Sequence, residues 1–277
     1  MGHSAGIPTA AIQPTSAWYA KGIDLLVTLT LWTYFIAGFA VLFGPFYLLA
    51  AAAASDRARA FQKLNHLFYR GFFLLGRMLM PRQTWRIDPE IKKIHSAVIV
   101  CNHISFIDSI LLISLFARHS TLVKNRLFRF PVLNWIMLGA GYLPAASEGK
   151  MAARMARRLE ELPAFFAARG NLIIFPEGTR SRTGAVGPFN AGAFKIAKLC
   201  RVPMAVLRVR NTDRLFRPGR FLFDTCTANV ITVDLLGHLA ADHGSDPTSV
   251  KRLMHEVRAL YRSGGRPDYE ATNAGCA

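Results

Sequence analysis

His103 stands where an apolar run, Val98-Ile99-Val100-Cys101, turns abruptly polar, and Asp108 follows five residues later. A histidine and a carboxylate at this spacing can move a proton. The carboxylate accepts a hydrogen bond from one imidazole nitrogen and fixes the tautomer, leaving the other nitrogen free to take a proton from a substrate. After Asn102-His103-Ile104-Ser105-Phe106-Ile107-Asp108, apolar positions recur at Leu111, Leu112 and Leu115, so the pattern reads as buried strand, polar turn, helix. His103 then lies at a strand's carboxyl end, where the loops of an open α/β sheet face a crevice. A structural reading competes with the chemical one. Ser105-x-x-Asp108 also fits a capping box, in which the carboxylate serves only the orphan donors of the helix start.

A second stretch, Asn171-Leu172-Ile173-Ile174-Phe175-Pro176-Glu177-Gly178-Thr179-Arg180-Ser181, has the same design. An apolar strand ends in a polar loop, so Glu177, Thr179 and Arg180 should meet the crevice that His103 faces. Pro176 and Gly178 permit a tight turn, and the planar fork of Arg180 suits phosphate. The competing reading is a surface turn whose arginine is merely solvated.

The elements that must position these loops alternate between strand and helix. Strands are expected at 98–101, 121–124, 171–175, 203–209 and 227–235, with a short extended piece at 142–145. Helices are expected from about 107, over most of 125–139, and at 151–169, 191–200 and 250–262. This alternation predicts an α/β fold with a mainly parallel sheet flanked by helices. Pro81 and Asp88-Pro89 punctuate the chain before it, and there is no internal repeat.

Upstream, residues 1–20 read as a loose leader. Residues 25–54 then carry no charge, enough for one membrane span, although Gly44-Pro45 should break the helix within it. A buried core helix is the alternative. Arg57, Arg59 and Lys63 follow the run and only Lys21 precedes it closely, which puts the rest of the chain on the cytoplasmic side. From 61 to 80, Phe61, Leu64, Phe68, Phe72, Leu75 and Leu79 recur at helical spacing opposite Gln62, Lys63, His66, Tyr69 and Arg70. That pattern fits an interfacial amphipathic helix or an ordinary core-facing one. The division expected is 1–80 for leader and membrane-associated helices and 81–277 for the α/β domain.

Composition points the same way. A formal charge of +17 would suit nucleic acid, but the 52% apolar content argues for a protein on an anionic membrane surface. Cys101, Cys200, Cys226 and Cys276 show neither paired spacing nor framework density, which suits a reducing compartment. His95, His103 and His119 lack metal-ligand spacing, so no metal is expected.

Taken together, Asn102-His103-x4-Asp108 and Phe175-Pro176-Glu177-Gly178-Thr179-Arg180 resemble the paired motifs of the PlsC-like glycerolipid acyltransferases, the lysophosphatidate acyltransferase family, over about residues 85–235. The resemblance implies that His103 is the general base and Asp108 its support. It also implies that Lys124, Glu177, Gly178, Thr179 and Arg180 form the acceptor site, with Lys124 and Arg180 on the phosphate. A later Val-Pro motif of the family matches Val202-Pro203. Several positions depart from the family pattern: Lys124-Asn125-Arg126-Leu127, Asn134, Pro144-Ala145-Ala146-Ser147, and Phe189-Asn190-Ala191-Gly192, which lacks the usual lysine. The chemistry implied is transfer of an acyl group from acyl-CoA or acyl carrier protein to a lysolipid, without a resident cofactor. The location implied is a membrane, with the catalytic domain on its cytoplasmic face (the inner membrane in a bacterium). The acceptor expected is lysophosphatidate, with a lyso-aminolipid as the alternative that the departures raise. Two rivals are covalent catalysis through Cys101 or a nearby serine and a non-catalytic basic adaptor that only binds anionic lipid.

Overall fold

A computed structural model of the chain describes residues 17–145, 148–240 and 249–264. Most of the expected leader and the Ala146-Ser147 departure lie outside the described residues. Ala17–Thr33 (α1), a π-helical stretch Tyr34–Phe43 and Gly44–Ala53 (α2) run end to end. The expected break at Gly44-Pro45 does not occur. The ten residues before it widen into π form, the Gly44 N–H bonds back to the Phe39 carbonyl, and Pro45 falls at the start of α2, where a missing N–H costs little. Trp18–Ala53 is one helix long and apolar enough to cross a membrane, and only 11% of its most apolar window is buried, unlike a core helix.

Arg57–Leu79 (α3) is capped by Asp56, whose carboxylate accepts the Arg59 N–H at 2.8 Å. Its inner face buries Phe61, Phe68, Phe72 and Phe73, each contributing about 1.5–3 kcal/mol of transfer free energy. The opposite face is not the free polar surface that periodicity suggested, because Gln62 and His66 are buried as well. Gln62 donates to the Ala140 carbonyl, and the His66 ring meets the Ile113 carbonyl. α3 is thus enclosed on two sides, by the N-terminal helices and by the α/β domain.

That domain runs Gln83–Ile87 (β1), Val98–Cys101 (β2), Ile107–Leu115 (α4), His119–Lys124 (β3), Pro131–Gly139 (α5), Leu143–Ala145 (β4), Gly149–Ala167 (α6), Asn171–Ile174 (β5), Gly192–Cys200 (α7), Met204–Arg210 (β6), Thr212–Leu215 (α8), Asn229–Leu239 (β7) and Ser249–Ser263 (α9). Two short 3-10 turns, Pro89–Lys93 and Asn125–Arg129, complete it. The strands form one sheet in the order β1-β7-β6-β2-β5-β3-β4, and every pair except β6 with β7 is parallel. β1 was missed between its two prolines. It is an edge strand, and only Gln83 is fully buried, with Thr84 and Arg86 facing out.

The pleat divides the core in two. Ile99, Cys101 and Ile173 face a cluster built with α3, α4 and the N-terminal helices; Val98, Val100, Leu172 and Ile174 face one built with α6, α7 and α9. A buried polar chain crosses the first cluster. Tyr47 of α2 donates to Asn65 at 2.5 Å, Asn65 donates to the Tyr142 hydroxyl at 2.9 Å, and Tyr142 meets His119 Nε2 at 2.7 Å. Burial depresses the His119 pKa to about 3, so at neutral pH the ring is uncharged. Its Nδ1 faces the Phe116 carbonyl at 2.8 Å and must carry the proton, which leaves Nε2 to accept from Tyr142. The apolar N-terminal helix is tied to β3 through this chain.

Candidate active site

In the parallel part of the sheet β2, β5 and β3 are neighbours, so their carboxyl ends bring together the loops after Cys101, Ile174 and Lys124. The turn after β2 is held by Asn102. Its side chain donates to the Val209 carbonyl at 2.9 Å and accepts the Val209 N–H at 2.8 Å, extending the pairing with β6 after the β2 backbone has turned away.

His103 follows, with its side chain 16% exposed. Its Nδ1 lies 3.0 Å from Asp108 Oδ2, and its ring stacks on Phe175 with centroids 4.3 Å apart. Nε2 has no hydrogen-bond partner among the described residues. Asp108 is fully buried and saturated. Oδ2 also accepts the N–H groups of Ile104 and Ser105, both at 2.7 Å, and Oδ1 accepts the Thr212 hydroxyl at 2.5 Å. The capping and orienting readings therefore hold at once, for one carboxylate serves both the turn's amides and the imidazole. Only the carboxylate half of the capping box is formed, with Asp108 accepting the Ser105 N–H, because the Ser105 hydroxyl donates instead to the Phe216 carbonyl at 2.9 Å.

Thr212 was not singled out from sequence. It opens α8, directly after β6, and Asn211 before it holds a left-handed φ of 63°. Asn211 is fixed on both sides, donating to the Val230 carbonyl and accepting from Asn229.

The second loop is sewn to the first through the backbone. Glu177 Oε1 accepts the His103 N–H at 3.1 Å, Glu177 Oε2 accepts the Gly187 N–H at 2.8 Å, and the Ser181 N–H donates to the His103 carbonyl at 2.7 Å. Both Glu177 oxygens are thus spent on main chain. Gly178 has φ of 66°, and a Cβ there would come within 2.9 Å of the Asn190 amide, which itself donates to the Pro176 carbonyl. The position therefore favours glycine on both backbone and steric grounds. Thr179 and Arg180 project into solvent from this turn, as does Lys124 from the end of β3. Among the described residues none of the three has an ion-pair or side-chain hydrogen-bond partner, and both cations face solvent.

Cys101 is fully buried. Desolvation first, and then the neighbouring Asp108 carboxylate, push its thiol well above the usual range, so it offers no thiolate nucleophile. Among the described residues no cluster of three His, Cys, Asp or Glu side chains is placed to hold a metal ion.

Residues 84–209 match the Acyltransferase family model. A 123-residue stretch is 34% identical to the chloroplastic 1-acyl-sn-glycerol-3-phosphate acyltransferase BAT2 of Brassica napus, covering 44% of this chain and 35% of that protein. A 1-acyl-sn-glycerol-3-phosphate acyltransferase of Cocos nucifera is 30% identical over 166 residues, covering 60% of this chain and 52% of the relative. The chain thus spans about a third to a half of the length of these curated relatives. Among solved structures, that of the 1-acyl-sn-glycerophosphate acyltransferase PlsC from Thermotoga maritima superposes with a TM-score of 0.63 at 25% identity, covering 90% of this chain and 99% of that one.

Proposed function

We propose that this protein, whose residues 84–209 match the Acyltransferase family model and whose fold resembles that of PlsC, is a membrane-associated O-acyltransferase that moves a fatty acyl group from a thioester to the hydroxyl of a lysolipid, lysophosphatidate in the first instance. The observation that carries the reading is His103, with Nδ1 held by Asp108 and Nε2 open beside a loop that presents Arg180. Nε2 takes the proton of the acceptor hydroxyl as its oxygen attacks the thioester carbonyl. Asp108 keeps the proton on Nδ1 and stabilises the imidazolium. When the tetrahedral intermediate collapses, the carbon–sulfur bond breaks and Nε2 returns its proton to the departing thiolate of acyl-CoA or acyl carrier protein. Lys124 and Arg180 bind the acceptor phosphate, Gly178 and Thr179 shape the turn that presents it, and Glu177 locks that turn to His103. A non-catalytic adaptor would have no use for this dyad.

The alternative acceptor, a lyso-aminolipid or another lysolipid, is favoured by the departures at Asn125, Asn134 and Ala145, which lie on the segment just past Lys124. Arg180→Ala decides between them. With a phosphate acceptor, loss of a charged hydrogen bond worth about 1.5–3 kcal/mol should raise the acceptor KM by about tenfold or more and leave the donor KM nearly unchanged. Steady-state assays in detergent with lysophosphatidate and with a phosphate-free lysolipid provide the check. Equal wild-type activity on the two would reject the phosphate assignment and leave acyl transfer standing.

The attachment we propose is through Trp18–Ala53, with the catalytic domain on the cytoplasmic face. Beside α3 and α2, exposed Phe130, Val132, Leu133 and Trp135 at the start of α5 extend the apolar surface toward the site's Lys124 edge. An inserted helix holds after salt has screened basic charge. The full-length protein should therefore stay in the membrane pellet through a high-salt wash, and quantitative release would rule insertion out.

A further inference from the structure

A cavity of about 770 Å³ lies at the amino-terminal edge of the sheet, the edge opposite His103, between the second half of α3, the end of α4 and the starts of β3 and β5. Five cations, Arg70, Arg77, Lys92, Arg118 and Arg169, line it, and no carboxylate does. Arg118 has Asp56 at 3.4 Å, whereas Arg70, Arg77, Lys92 and Arg169 take part in no ion pair among the described residues. Arg77 instead lies over the Trp85 indole, 5.8 Å from its centroid. Like charges gathered around a void repel one another, and an anion in that void offsets the repulsion.

The walls say what kind of anion. Phe73, Leu111 and Phe116 supply buried apolar surface, and Leu74 stands on the rim between Arg70 and Arg77, on one face of α3 and 62% exposed. Leu67 and Met78 continue that exposed apolar strip along the helix, Met78 at 73% exposure. Inorganic phosphate would need the cations alone, and a nucleic acid would gain nothing from the leucines. A ligand with an anionic head and an apolar chain uses both, and the volume falls in the ordinary range for small-molecule sites.

We infer that this cavity is a second, non-catalytic site for the phosphate head of an anionic phospholipid, whose acyl chain lies against Leu74, Leu67 and Met78. Its location keeps it separate from the acyl-transfer chemistry, and its test does not depend on that reading. Full-length protein in neutral detergent would be irradiated with a phosphatidate carrying a photoactivatable diazirine in its acyl chain, and the labelled peptides mapped by mass spectrometry. Label is expected in residues 67–78 of the wild-type protein and in His103→Ala alike. It should fall about tenfold in the R70Q/R77Q double variant, the loss that one charged hydrogen bond represents. These are solvent-facing positions, so an unchanged melting temperature will certify the variant's fold. A diacylglycerol bearing the same photoreactive chain should label this segment no more than the rest of the apolar surface. Equal labelling of wild type and double variant, or equal labelling by the uncharged probe, would overturn the inference. Complete displacement by inorganic phosphate at the probe's own concentration would also overturn it, by making the ligand a free anion rather than a lipid.

Discussion

Replacing His103 by alanine is expected to lower kcat by about 10²–10⁴-fold while the fold survives, the range a positioned general base contributes. The asymmetry follows from the hydrogen bonds. Nε2 has no partner among the described residues to lose, and on the Nδ1 side Asp108 keeps three other donors: the Ile104 and Ser105 amides and the Thr212 hydroxyl. What remains is a small hole beside Phe175, at a site already partly open to solvent. Kinetic assays paired with circular dichroism and a thermal melt give the answer. A variant that melts like wild type and turns over like wild type would remove His103 from the role of base.

Asp108→Asn should combine a comparable loss of kcat with a loss of stability that His103→Ala lacks. Four donors converge on a carboxylate that is entirely buried. An asparagine amide has one acceptor oxygen, whose two lone pairs serve at most two of the three donors on the Oδ2 side, and its NH₂ group then faces the Thr212 hydroxyl, which must turn to accept and so loses its own acceptor. Each buried donor stripped of its acceptor costs about 1–3 kcal/mol, so a total of about 2–4 kcal/mol is expected. Thr212→Val removes one of the four bonds and nearly preserves side-chain volume, so it should fall between this variant and wild type in both measurements. Urea titration and steady-state rates on the two variants provide the comparison. Wild-type stability in Asp108→Asn would mean that the carboxylate does not organise the turn.

The candidate site residues at strand ends were legible in position because apolar strand and polar loop adjoin in the chain: His103, Asp108, Lys124 and Arg180 all fall where the alternation of elements puts them. Thr212 was not, since its partner lies 104 positions away and a threonine after a strand has no distinctive neighbourhood. Glu177 was legible as a site residue but not as a clamp on the His103 backbone, because main-chain amides leave no mark on sequence. Periodicity found α3 and mistook Gln62 and His66 for a wet face, since spacing defines a stripe without saying what covers it. β1 had the right signal in alternating Thr84 and Arg86, but five residues between prolines carry little weight. The proline that should have ended the apolar N-terminal helix was absorbed by ten residues of π-helix, a state with no compositional signature.

The stitching of the two loops through the backbone of His103 has a thermodynamic side. His103 gives its amide to Glu177 and lends its carbonyl to Ser181, so neither loop can fray without taking hydrogen bonds from the other. The two turns then open and close as a single cooperative unit, although the sequence separates them by some seventy residues. A molecule whose Arg180 turn has melted has also lost the two bonds that hold the backbone beneath the imidazole. If His103 and Arg180 act as we propose, the base is anchored on both sides only while the head-group turn is folded, and this limits the time in which an activated thioester could meet a working base and water with no acceptor site formed.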